Sequence, residues 1–111
     1  MSAEQAPLAP FDLAEWLRSE NPPMLLDVRE VEEHQFAALP GSTLIPLRQL
    51  PDRINELADW KDKDVVVYCH HGVRSLHAIN WLRQHGFTKL RNLTGGIDLW
   101  SCEVDSTVPR Y

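Results

Sequence analysis

The run Val65-Val66-Val67-Tyr68 limits what this chain can become more than any other feature. Three consecutive β-branched residues with no polar residue among them suit a strand covered on both faces, and such strands belong to parallel sheets flanked by helices. Cys69 closes the run, and from Ser75 onward the apolar spacing changes period. Ala78, Ile79 and Leu82 fall on one helical face, and Gly86 after His85 reads as the residue that ends the helix. Strand, loop and helix therefore follow one another, with Cys69 at the carboxyl end of the strand and facing the amino end of the helix. Ligands of open α/β sheets bind at that edge, where unpaired backbone N–H groups and the helix dipole favour an anion. The expected fold class is α/β: a central, mostly parallel sheet of about four or five strands with helices on both faces.

The loop Cys69-His70-His71-Gly72-Val73-Arg74-Ser75 carries the chemistry. A free thiol titrates at about 8.5, and a helix N-terminus with a cationic neighbour lowers that value. Arg74 supplies a cation from within the loop. Gly72 permits a tight turn in which successive amides point at whatever is bound to sulfur. A lone cysteine at a strand end is more commonly a buried structural residue. Here a glycine, an arginine and a helix start follow within six residues, which favours a functional one. Together with Cys69, the histidines His70, His71 and His77 raise the question of a metal, since thiolate and imidazole both suit zinc. Adjacent residues in a tight loop rarely aim both side chains at one ion, so no metal is expected. His70 and His71 are instead assigned to the loop mouth, while His34 and His85 read as surface residues without partners.

The loop resembles the active-site loop of the rhodanese (sulfurtransferase) family in its Cys-x-x-Gly-x-Arg-Ser form. Asp27-Val28-Arg29-Glu30, Glu33, Leu39-Pro40-Gly41-Ser42 and Ile45-Pro46-Leu47 resemble the first half of such a domain, in the right order. Gly86-Phe87, Asn92-Leu93, Gly95-Gly96-Ile97 and Trp100 resemble its close. Where the family usually carries Gly-His-Ile-Pro, this chain has Ala38 in place of the histidine, so no histidine from that segment is expected to assist. The resemblance implies a rhodanese-like three-layer sandwich, one domain over residues 8–111 after a flexible terminus at 1–7. It implies a sulfurtransferase that moves a sulfane sulfur from a donor, a small sulfur-containing anion such as thiosulfate or a persulfide, to cyanide or a thiol acceptor, through a persulfide on Cys69. His70, His71, Gly72, Val73, Arg74 and Ser75 would bind the substrate, with no metal or organic cofactor. A thioredoxin-like or sulfur-carrier protein would be the acceptor's natural class.

Two other readings use the same residues. Cysteine phosphatases have a Cys-x5-Arg loop, whereas Cys69 to Arg74 is Cys-x4-Arg. One residue fewer narrows the ring of amides, which then suits a single terminal sulfur and crowds a phosphoryl group. Tyr68 also stands where many such phosphatases have histidine. A regulatory rhodanese-like module would bind partners without chemistry, but such modules often lack the cysteine that this chain keeps.

Composition narrows the setting. The 111 residues make one domain, and a domain of that size removes about two-thirds of its unfolded surface from water. A net charge of −5 argues against nucleic acid or an anionic membrane as partner. Two cysteines are too few for a disulfide framework. No apolar run approaches a membrane span, and the first ten residues have neither a basic start nor an apolar core. A reducing cytoplasm is the expected location.

Elsewhere the sequence predicts a poorly signalled strand near Ala6 to Ala9, and a helix from Pro10 with Leu13, Trp16 and Leu17 inward. A strand from Met24 to Val28 follows. Its end brings Asp27 and Arg29 to the sheet edge of Cys69. Asp27 is expected in a structural ion pair; Arg29 is balanced between that role and adding positive potential for an anion. Glu30, Glu32 and Glu33 read as a solvated helix face. Thr43 to Ile45 is a short strand, Arg48 to Leu57 a helix, and Lys89 to Leu93 the last strand. Gly95-Gly96 permits close approach to the loop and leads into a helix through Trp100, a core residue. Nothing around Cys102 resembles an activated thiol.

Overall fold

The computed structural model describes residues 7–111. Of the terminus expected to be flexible, residues 1–6 lie outside the described residues, and Pro7 stands in a strand. The elements in order are β1 (Pro7–Leu8), α1 (Pro10–Leu17), β2 (Met24–Asp27), α2 (Val31–Phe36), β3 (Thr43–Leu44), α3 (Leu50–Arg53), β4 (Val65–Tyr68), α4 (Val73–Gln84), β5 (Leu90–Leu93) and α5 (Gly96–Glu103). The strands form a parallel sheet in the order β1-β5-β4-β2-β3, with β4 at its centre as the valine run requires.

The period-2 alternation of β4 builds two cores, one on each face of the sheet. Val65, Val67 and Cys69 pack with Leu26 against Ala78, Ile79 and Leu82 of α4 and against Leu50 and Leu57. Val66 and Tyr68 turn the other way, to Leu13 of α1, Ile97 and Trp100 of α5, and Ala37 and Leu39 after α2. The connection after β4 thus crosses one face and the connection after β2 the other. Adjacent parallel strands whose connections diverge leave a crevice at their carboxyl ends, and Cys69 opens into it.

The expected helix over Arg48 to Leu57 is broken into a 3₁₀ turn (Leu47–Gln49), α3, and a second 3₁₀ stretch (Ile54–Trp60). Pro51 has no N–H to give and excludes a regular turn before it, so continuous helix is interrupted there. Leu50 and Leu57 are buried nonetheless. The helix after the Cys69 loop begins at Val73, two residues before the predicted start, because Gly72 takes the left-handed conformation (φ 115°) that ends the loop. No helix among the described residues is long and apolar enough to cross a membrane.

Asp27 and Arg29, both fully buried, tie the end of β2 to α2. Arg29 donates from Nε to Asp27 Oδ1 (2.9 Å) and from Nη2 to Asp27 Oδ2 (2.7 Å), and Nη2 also reaches the Ala37 carbonyl at 2.6 Å. Burial disfavours the Arg29 charge, but the hydrogen bonds to Asp27 and Tyr111 outweigh it and raise its pKa. The balance left open by the sequence falls to the structural role, since this guanidinium has no face open to a substrate. His34, expected to stand alone, has Nδ1 2.8 Å from Asp27 Oδ2, and His85 has Nδ1 2.8 Å from the Trp81 carbonyl with its ring stacked on Trp81. Both belong to helix ends, where a histidine reaches backbone or a neighbouring strand end that a linear reading does not place. Asp27→Ala strands a buried guanidinium and is expected to lower stability by about 3–5 kcal/mol in urea unfolding. Removing the exposed Arg48 that pairs with Glu30 at 3.1 Å should cost less than about 1 kcal/mol.

Candidate active site

Cys69 sits one residue beyond β4 and is buried, with its sulfur facing the turn that starts α4. The Gly72 amide donates to Sγ at 3.0 Å, and the Ser75 hydroxyl lies 3.4 Å from it. Burial works against a charged sulfur. The Ser75 hydroxyl and the amides of Ser75, Gly72 and His71 together outweigh burial, and the thiol's pKa falls below its ordinary value. The arrangement surrounds the sulfur with donors that favour its thiolate form.

Arg74 has a different place from the one its sequence position suggested. Its guanidinium is gripped by Glu33 on α2, Nη1 to Oε1 at 2.6 Å and Nη2 to Oε2 at 2.9 Å. That pair raises the Arg74 pKa, with the sulfur's charge a minor contribution, and holds the Glu33 carboxyl down at about 2. Glu33 is therefore not part of a solvated face. It closes a capping box with Glu30, accepting from the Glu30 amide at 3.0 Å, and this turns its carboxylate toward the loop.

Three residues at the site escaped the sequence reading: Glu33 in this role, Asn92 and Tyr111. Asn92 Oδ1 accepts from the Ser75 hydroxyl at 2.6 Å, while its Nδ2 donates to the Gly72 carbonyl at 3.1 Å. One side chain from β5 thereby fixes both ends of the turn around sulfur. The Ser75 hydroxyl has a single proton: directed at Asn92 it leaves an oxygen lone pair for a thiol S–H, and turned to sulfur it stabilises thiolate. The available signal was a polar residue between Leu90 and Leu93 in a strand beside β4. Tyr111 lays its ring on His70, centroids 4.0 Å apart and 7° from parallel. Its hydroxyl accepts from Arg29 Nη1 at 2.8 Å and donates to Glu33 Oε2 at 2.7 Å.

The paired glycines act as expected at one position. A side chain on Gly96 would collide with the Cys69 and His70 carbonyls, so only glycine lets α5 begin against the loop. The Ile97 and Asp98 amides then donate to those carbonyls at 2.9 and 3.2 Å. The His70 and His71 rings lie against one another at a tilt of 32°, centroids 3.9 Å apart. With Asp98 they put three ligand atoms within 4.8 Å of one another, a grouping that the sequence reading did not foresee, although Asp98 is also engaged by Arg110 at 2.9 Å. His77 and Cys102 are exposed on their helices. Val73 is 67% exposed at the loop mouth.

Comparison with known proteins adds the family. A family model for the rhodanese-like domain matches residues 10–103. A protein of Allochromatium vinosum named sulfurtransferase is 37% identical over 78 residues, covering 70% of this chain and 71% of that protein. The chloroplastic rhodanese-like/PpiC domain-containing protein 12 of Arabidopsis thaliana is 43% identical over 91 residues; the match takes in 78% of this chain but only 30% of that longer protein. A crystal structure of a rhodanese-like domain protein from Staphylococcus aureus superposes with a TM-score of 0.81 at 26% identity, over 96% of this chain and 98% of that one.

The donor ring generates a prediction. A depressed thiol pKa means that thiolate persists to lower pH, so the alkylation rate of Cys69 should rise with a midpoint below the ordinary value of about 8.5. Ser75→Ala removes the largest stabilising contact and should move that midpoint upward by more than Arg74→Gln does, because Glu33 already balances Arg74. Alkylation against pH for the three proteins, with Cys102 replaced by serine, reads the order directly.

Proposed function

For a chain that belongs to the rhodanese-like domain family, whose sulfurtransferase-named relatives give it a sulfur-transfer role, we propose that Cys69 is the nucleophile and carries the sulfur as a persulfide. The observation that supports this most is the donor ring: a buried sulfur with the Gly72 amide at 3.0 Å and Ser75 at 3.4 Å. In the first half-reaction the Cys69 thiolate attacks the outer sulfur of a donor, thiosulfate being the simplest, and the donor's S–S bond breaks. The outgoing group leaves with the electron pair, as sulfite in that case. The terminal sulfur then rests among the loop amides. In the second, cyanide or an acceptor thiol, free or on a protein, attacks that terminal sulfur and Cys69 leaves as thiolate. Two half-reactions through one covalent intermediate give ping-pong kinetics.

The ring's size favours this reading over phosphate chemistry. Amides close enough to bond Sγ itself leave room for one added sulfur. A phosphoryl group brings three further oxygens and needs a wider cradle. A wider loop would misplace the donors, and losing one preorganised donor costs about 3 kcal/mol, a hundredfold or more in rate.

Cys69→Ser should abolish sulfur transfer to cyanide in steady-state assay, while Cys102→Ser should retain most of it, since Cys102 lies exposed on α5 outside the ring. Equal loss in both would replace the single-thiol scheme with a dithiol relay. Hydrolysis of aryl phosphates that depends on Cys69, with no transfer of sulfur, would replace it with phosphatase chemistry.

A further inference from the structure

Neighbouring residues in a tight loop rarely turn both side chains to one ion, which is why the sequence alone predicts no metal at His70 and His71. The fold adds a third ligand from another element and holds it in a fixed frame. The Ile97 amide donates to the Cys69 carbonyl at 2.9 Å and the Asp98 amide to the His70 carbonyl at 3.2 Å. These bonds set the first turn of α5 against the histidine pair. One nitrogen from each ring and one Asp98 oxygen consequently lie within 4.8 Å of one another. His71 Nε2 is already 3.7 Å from Asp98 Oδ2. The His70 ring lies between two others, Tyr111 at 4.0 Å and His71 at 3.9 Å. Its Nε2 is buried and has no hydrogen-bond partner among the described residues. A buried ring nitrogen left unpaired is costly, and coordination to a cation satisfies it.

We propose that His70, His71 and Asp98 form a binding site for zinc or a similar divalent transition-metal ion. Two imidazoles and one carboxylate are a donor set that zinc accepts while keeping a fourth position open. The same nitrogens disfavour magnesium and calcium, which take oxygen ligands. Ligand atoms on tetrahedral zinc stand about 3.4 Å apart, so the His71–Asp98 pair at 3.7 Å needs little movement. The remaining closure falls to His71, whose side chain is 63% exposed and has room to swing, while the Tyr111 stack keeps His70 in place. Arg110 does not use up the carboxylate. Its Nε donates to Asp98 Oδ1 at 2.9 Å and its Nη2 reaches Oδ2 only at 3.3 Å, which leaves Oδ2 with lone-pair capacity for an ion. The site needs no thiol, so it stands apart from the sulfur-transfer reading of Cys69.

The test is a zinc titration of the full chain against a chromogenic chelator, run on the wild-type protein and on a variant with both Cys69→Ser and Cys102→Ser, in which no thiol can hold the ion. Both should bind a single zinc with affinities within about threefold of each other, and magnesium in large excess should not displace it. In the thiol-free chain His71→Ala and Asp98→Asn should each weaken binding at least about tenfold, since loss of a mere partner behind a metal ligand already costs that much. Zinc should also raise the thermal midpoint of the thiol-free chain and not that of His71→Ala, because an ion bound only to the folded state stabilises it. Circular dichroism checks that each variant is folded, and should the thiol-free chain fail to fold, the two ligand variants made in the wild-type chain decide. Zinc bound by the wild-type protein and lost from the folded thiol-free one places the ion on sulfur and overturns the proposal. So does an affinity that neither ligand variant moves, displacement by magnesium, or no binding in either protein.

Discussion

The hydrogen bonds from the first amides of α5 to the backs of the Cys69 and His70 peptides hold the site in place. A ring of N–H donors around sulfur exists only while the peptides that carry it keep their orientation, and a loop between a strand and a helix has little of its own to fix that. Gly96 is the condition for this contact, since any side chain there would strike the two carbonyls. Asn92 completes it from β5 by holding Ser75 and the Gly72 carbonyl together. The loop is thus clamped from neighbouring elements, and the preorganisation that lowers the thiol pKa is a property of β4, β5 and α5 in register, not of the loop sequence alone.

A second constraint is electrical. The sheet edge gathers arginines because strand ends and helix starts converge there, and each is compensated where it stands. Asp27 and Arg29 are buried together, a pairing that fixes α2 against β2 at a large desolvation cost. Fixing α2 places Glu33, and Glu33 in turn holds Arg74 and the Tyr111 hydroxyl. Fold stability and the charge presented at the mouth are therefore linked through one helix.

Legibility in the sequence followed the range of the interactions. The valine run, the switch to helical spacing at Ala78, Ile79 and Leu82, and Gly86 as the terminator are local signals, and the parallel sheet with helices on both faces follows from them. The same local logic read Arg48 to Leu57 as one helix because its apolar spacing fits; the weight of Pro51 inside it was missed. Glu33 read as solvated because its partner Arg74 lies 41 positions away, and Tyr111 passed unremarked because it meets Glu33 across 78. Asn92 was quoted only as part of a motif. Its function needs the register that pairs it with Val67, and no single strand states its own register.

The central claim is that sulfur resides covalently on Cys69 between two half-reactions. Intact-protein mass measurement after exposure to a sulfane-sulfur donor and desalting tests it most directly. The account predicts a gain of one sulfur atom that cyanide removes and that Cys69→Ser never acquires. No gain in the wild-type protein, or a gain of the same size in Cys69→Ser, would contradict it.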